Sequence, residues 1–143
     1  MSQALLTDSD DWKRSIILDI SEQYQQRVIS FIEEIRKSGS PVLIFGAGRA
    51  GWYIMKVLEY YDVPITAFAD NDPGKQNIYY NYQVLSPNDS VRRFPNAHVF
   101  LGIFLPDTAV AVQKQLQQLN FQHVYFDTAA FLFTFFVSVA GRT

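Results

Sequence analysis

At 143 residues the chain is long enough for one domain with a sizeable core, and 48% hydrophobic against 18% charged residues excludes intrinsic disorder. A formal charge of −2 with no run of Lys or Arg excludes the basic stripe that nucleic-acid binding needs. With no cysteine, disulfides, thiolate metal sites and cysteine nucleophiles are excluded as well.

The first 12 residues, MSQALLTDSDDW, are polar and acidic and read as loose. They lack the basic start and apolar block of a secretory signal, which leads us to expect a cytoplasmic protein. Residues 13–37 predict an amphipathic helix. Ile17, Ile20, Tyr24, Val28, Phe31 and Ile35 recur at steps of three or four, and Ile16 and Ile32 widen the stripe. Gly39 is the natural C-terminal cap, with Pro41 just beyond. We therefore divide the chain into a loose 1–12, a helix over 13–40 packed on the domain, and a domain proper over 41–143.

PVLIF, residues 41–45, reads as a strand buried on both faces. Gly46, Gly48 and Gly51 follow at once. A helix then runs to about Tyr61, with Ala50, Ile54, Val57, Leu58 and Tyr61 on its inner side. PITAFAD (64–70) is the second strand, NDPGKQ a loop, and YQVL (82–85) a short strand. Ser86 and Pro87 mark a helix start. HVFLGIF (98–104) is a strand, Asp107 or Thr108 caps a helix ending at Leu119, and HVYFD (123–127) is a further strand. The apolar tail AAFLFTFFVSVA (129–140) falls short of the ~20 residues that span a bilayer, so no membrane span is expected. Periodicity leaves it open between strand, packing helix and linker remnant. Strands alternating with helices predict an α/β fold, a three-layer Rossmann-like parallel sheet with an additional N-terminal helix.

Gly46-Ala47-Gly48-Arg49-Ala50-Gly51 matches G-x-G-x-x-G between a buried strand and an amphipathic helix, with Asp70 about 20 residues further on. Gly46 suits a tight turn out of the strand. Gly48 lets a pyrophosphate approach the backbone, where a helix N-terminus offers free N–H groups and partial positive charge. Gly51 lets the helix approach the sheet. Asp70 stands where a carboxylate accepts ribose hydroxyls, and Asn71, Asp72 and Lys75 complete the predicted site. Two carboxylates at the ribose end disfavour a 2′-phosphate, so NAD or a nucleoside-diphosphate sugar is expected in preference to NADP. The alternative, ranked second, is that the glycines only make a tight turn over an empty cleft. Arg49 can touch a phosphate or lie in solvent. Trp52 is expected to pack, not to stack on a base.

The catalytic inventory is thin. His98 and His123 both precede strands and so fall at the amino ends of the sheet, whereas ligands in such sheets bind at the carboxyl ends. Asp107 and Asp127 end strands on the ligand side, with capping expected of Asp107. No metal-ligand cluster is apparent. The first strand also lacks the acid that S-adenosylmethionine methyltransferases of the common class carry there.

VLIFGAGRAG, ITAFADNDPGKQ, YQVLSPND, HVFLGIF and VQKQLQQLNFQHVYFD together resemble, from Pro41 to Asp127, the accessory Rossmann-like segment that precedes the catalytic domain in FkbM-family methyltransferases. They are also similar to nucleotide-sugar- or CoA-binding-like domains of polysaccharide-biosynthesis enzymes, and to the amino-terminal domain of sugar acyltransferases. Such domains carry Gly where this chain has Asn77 and Asn81, positions at which Asn can take up left-handed backbone. We expect no methyltransferase domain to accompany these 143 residues, so the resemblance does not carry methyl transfer over to them. The resemblance implies a binding or assembly module in glycan or natural-product modification. Three functions follow: a non-catalytic nucleotide or nucleotide-sugar module; an oligomerisation domain with an empty cleft, using the N-terminal helix or Phe131, Phe133, Phe135 and Phe136; and an NAD-dependent subunit completed by a partner.

Overall fold

A computed structural model of the chain describes residues 22–126, 131–132 and 134–142. The expected stretch 13–21 of the first helix, Asp127 and Phe133 lie outside them.

Helix α1 covers the described residues 22–38 and ends at Gly39, whose φ of +70° is the left-handed stop expected of it. Strand β1 (Val42–Phe45) follows, buried at all four positions. Helix α2 (Arg49–Tyr60) returns to β2 (Ala67–Ala69). A 3₁₀ turn (Pro73–Lys75) leads into a hairpin of β3 (Ile78–Tyr79) and β4 (Tyr82–Leu85). Helix α3 (Pro87–Arg93), β5 (His98–Leu101), α4 (Pro106–Gln118) and β6 (His123–Tyr125) complete the alternation.

The six strands are ordered β3-β4-β2-β1-β5-β6. All pairings are parallel except the β3–β4 hairpin. From β1 the chain steps outward to β2 and then, after β4, crosses back to β5. This is the doubly wound α/β arrangement expected from the sequence, and its switch point lies between β1 and β5, where such folds open a crevice.

Alternation along β1 explains the two cores. Val42 and Ile44 point to one face, Leu43 and Phe45 to the other. Helix α4 packs on the second face through Val112 and Leu116, beside Val91 and Phe94 from α3 and its end. The first face takes α2, α1 and the tail. Val28, Ile32 and Ile35 of α1 are buried there. Phe31 meets Phe100 and Tyr125 edge-on at 6.1 and 4.7 Å.

The described residues of the tail are helical. Residues 131–132 and 134 lead into a π turn (Phe135–Val139) and a 3₁₀ turn (Ala140–Arg142). Phe131 and Phe135 are buried in the domain's own core, while Phe136 is 55% exposed. Ser138 Oγ accepts from Gln25 Nε2 at 2.8 Å and from Tyr61 Oη at 2.7 Å, joining the tail to α1 and α2. With right-handed crossovers, β4-α3-β5 and β5-α4-β6 place their helices on the face opposite α2. The first face over β5 and β6 is left to α1 and the tail.

Two local expectations are corrected. The cap of α4 is neither Asp107 nor Thr108: Leu105 holds that position without a side-chain cap, and Pro106 opens the helix. Proline's fixed φ and missing N–H suit a first helical residue, which moves the start ahead of Asp107. Asp107 sits in the first turn, where its charge favours the helix dipole. Left-handed backbone in the hairpin falls on Tyr80 (φ +54°), not on Asn77 or Asn81. Tyr79 pairs with Tyr82, so Tyr80 and Asn81 form a two-residue turn whose first place usually goes to glycine. The start at Ser86 is as expected: its hydroxyl accepts from the Asp89 N–H at 3.1 Å, with Pro87 next.

Candidate functional site

The three glycines of the loop do different work. Gly46 has φ +113° and donates its N–H to the Ala69 carbonyl at 2.7 Å. A Cβ added there would lie 2.6 Å from the Gly102 carbonyl oxygen. A Cβ on Gly51 would lie 2.0 Å from the Gly46 carbonyl oxygen, so α2 rests directly on the loop backbone. Gly102 closes the same knot, since a Cβ there would approach the Gly51 Cα to 2.6 Å. Its place inside HVFLGIF was a usable signal, because glycine in a strand often marks a close backbone approach.

Gly48 is different. Its backbone is extended (φ −143°, ψ −157°), and an added Cβ would meet only Lys75 Nζ, at 3.8 Å. It caps α2 with no side-chain hydrogen bond. The first turn of a helix has N–H groups without intrahelical partners, and Gly48 has no side chain to cap them. A cleft of about 400 Å³ at this end of α2 is lined by Gly48, Arg49, Trp52, Tyr79 and Tyr80. Arg49 is exposed at its rim. Trp52 is half-buried and packs edge-on against Tyr53 and Phe135, as expected, but it also lines the cleft.

Asp70 latches two loops. Oδ2 accepts from the Ala47 N–H and Oδ1 from the Asp72 N–H, both at 2.9 Å. The carboxylate thus ties the glycine loop to the loop after β2, with one lone pair left on each oxygen. Gln76 supports it by donating to the Asp70 carbonyl at 2.8 Å. Asp72 caps the 3₁₀ turn by accepting from the Gly74 N–H at 2.9 Å. Asn71 exchanges two amide hydrogen bonds with Gln115 of α4, at 2.9 and 2.8 Å.

Of the predicted residues, Gly48 and Arg49 line the cleft, and Lys75 Nζ comes within 3.8 Å of a Cβ built on Gly48. Ala47 and Asp70 hold the loop, Gly46, Ala50 and Gly51 serve packing, and Asn71 and Asp72 bond elsewhere. Sequence reasoning missed Tyr79 and Tyr80. Tyr79 Oη donates to the Gly48 carbonyl at 2.9 Å, fixing the hairpin to the glycine loop. Burial pushes this phenol above its ordinary pKa, Tyr80 adds to the rise, and the Arg49 charge opposes it. The hydroxyl therefore remains a donor at neutral pH.

The histidines lie away from this cleft. His98 and His123 are register partners at the amino ends of β5 and β6, with ring centroids 4.8 Å apart. His98 Nδ1 is 2.8 Å from Tyr125 Oη, and burial, then the neighbouring His123, lowers its pKa. A second cleft of similar volume lies between α1, β6 and the tail, with walls that include Phe31, Tyr125, Phe126 and Phe131. It lacks the backbone donors of the glycine loop. Among the described residues, no group of three or more His, Asp or Glu could hold a metal ion, and no helix is long and apolar enough to cross a membrane.

No protein-family model and no curated protein matches the chain. Two solved structures are similar at low identity. RSP in complex with β-NADH superposes with a TM-score of 0.47 at 16% identity, over 61% of this chain and 44% of that one. UDP-D-quinovosamine 4-dehydrogenase from Vibrio fischeri superposes with a TM-score of 0.43 at 22% identity, over 61% of this chain and 75% of that one. The chain therefore spans less than half the length of the first.

Proposed function

We propose that this chain is a Rossmann-like module that binds a nucleotide, NAD or a nucleoside-diphosphate sugar, without a catalytic residue of its own. The observation that supports it is the uncapped first turn of α2, opening at Gly48 into a cleft of about 400 Å³ beside Arg49 and Lys75. Backbone donors, a helix dipole and two cations favour a phosphate group. The volume lies within the range of small-ligand sites. Both histidines are engaged at the opposite end of the sheet, which supports binding without catalysis. The resemblance to FkbM-associated and polysaccharide-biosynthesis domains supports a role in glycan or natural-product modification.

The test is a thermal-shift panel of NAD, NADP, UDP- and dTDP-sugars, S-adenosylmethionine and CoA, run on wild type and on Gly48→Trp. A Cβ at Gly48 meets nothing but the Lys75 ammonium within 4 Å, so the backbone accepts a side chain there; the indole is expected to obstruct the cleft, and the variant's own melting temperature verifies the fold. A ligand at ~100 times its Kd adds about 2.7 kcal/mol. A shift in wild type that Gly48→Trp abolishes supports the reading, and no shift with any member refutes it.

A second reading is assembly through an exposed apolar patch. Phe104, Leu105, Phe136 and Val137 are 47, 68, 55 and 46% exposed, and Tyr53 lies 6.2 Å from both Phe104 and Phe136. Sedimentation of wild type against Phe104→Ser/Phe136→Ser tests it, with loss of a ligand-independent oligomer as the expected outcome.

A further inference from the structure

Tyr80 combines three properties that a plain hairpin tip does not call for. Its backbone is left-handed, a conformation that a bulky side chain rarely adopts and a turn of this length usually gives to glycine. The residue is 62% exposed. Its ring nevertheless has a fixed base: it meets Tyr79 edge-on at 4.8 Å, and Tyr79 is held by Phe68 at 4.8 Å and by the hydrogen bond to Gly48. An exposed tyrosine on strained backbone, supported by an anchored one, lines the cleft at the glycine loop together with Trp52. Strain maintained at a ligand cleft points to function.

We propose that the Tyr79–Tyr80 hairpin tip is the base platform of this site, on which the nucleobase stacks at Tyr80 while the phosphates lie at Gly48. The inference rests on the nucleotide reading above and adds a direction: the nucleoside extends toward the β3–β4 edge of the sheet. Stacking accepts any planar base, so the platform sets affinity for nucleosides as a class and leaves discrimination among bases to other groups.

The experiment measures calorimetric affinities of UDP, ADP and inorganic pyrophosphate for wild type, Tyr80→Gly and Tyr80→Phe. Glycine suits the left-handed position, so Tyr80→Gly keeps the turn, and its melting temperature verifies the fold. Both nucleotides should bind wild type more tightly than pyrophosphate. Tyr80→Gly should weaken them by roughly 5- to 150-fold, the range of one base–aromatic stack. Pyrophosphate affinity should not move, and Tyr80→Phe should bind as wild type does. If the nucleotides bind but Tyr80→Gly leaves their affinity unchanged, or weakens pyrophosphate equally, the platform is refuted and the nucleotide reading survives. If neither nucleotide binds wild type, both fall together.

Discussion

Gly51→Ala adds one methyl group at the tightest point of the fold. The added carbon would stand 2.0 Å from the Gly46 carbonyl oxygen and 3.3 Å from Phe68 Cε2. Ordinary carbon–oxygen approaches are about 3.3–3.6 Å, so more than about 1 Å must be found. No rotamer can relieve the contact with the Gly46 carbonyl, because that oxygen and an alanine Cβ are both fixed to main chain. Helix α2 would have to lift, yet its Ile54, Met55, Val57 and Leu58 are all buried. Over-packing costs typically about 1–3 kcal/mol when side chains can adjust. With backbone against backbone we expect about 3 kcal/mol or more, a fall of roughly 10 °C in Tm for this size. Gly48→Ala is the internal control. Its Cβ meets only a flexible ammonium, and its backbone is extended. The weaker helix cap is offset by the lower entropy of the unfolded chain, so its Tm should stay within about 3 °C of wild type. Calorimetry of the two variants decides. If Gly51→Ala melts with wild type, or Gly48→Ala melts as low as Gly51→Ala, the assignment of close approach to one glycine and ligand space to the other is wrong.

Phe135→Ala should cost about 3–5 kcal/mol, as for other buried phenylalanines, because the tail belongs to the domain's core; denaturant melts would show it, and an unchanged midpoint would contradict that packing. Asp70→Ala removes the acceptor for two loop N–H groups, so the Ala47 amide should exchange with solvent at least about tenfold faster while the β1 amides keep their protection. Ser86→Ala should lose about 1 kcal/mol through the vacated cap on Asp89, measurable by urea unfolding. His98 has its folded pKa lowered below 6.5, so the unfolded chain binds more protons as pH falls. Its contribution to stability is full above pH 6.5 and declines as the pH drops through that value toward the folded pKa. Urea midpoints at pH 7.5 and 5.5 should differ less in His98→Asn than in wild type, and an equal difference would count against the linkage.

Much of this fold was legible in short stretches. Hydrophobic period marked α1, α2 and α4, because a helix that covers a sheet must bury one side. The continuous apolar run at 42–45 marked a central strand, and glycine chemistry marked the turn into α2. Gly39 stopped a helix and Ser86 started one through local backbone geometry and bonding that need nothing from the rest of the chain. The sequence by itself therefore determined the alternation of elements, the doubly wound class and the position of the glycine loop.

Tertiary structure decided what each of those residues faces. The apolar tail carries no period that separates a strand from a helix; its described residues are helical, covering the first face over β5 and β6, and Ser138 finds partners on α1 and α2. Asp70 stands out in the sequence as a carboxylate at the end of a strand; that its two oxygens also meet N–H groups from Ala47 and Asp72 depends on how closely two loops approach. The β3 strand is two residues long, too short to show alternation, so the hairpin that brings Tyr79 and Tyr80 to Gly48 left no pattern to read. Local propensity marks where a chain turns; which side chains then share a cleft is set by the order of the strands, a property of the whole sheet.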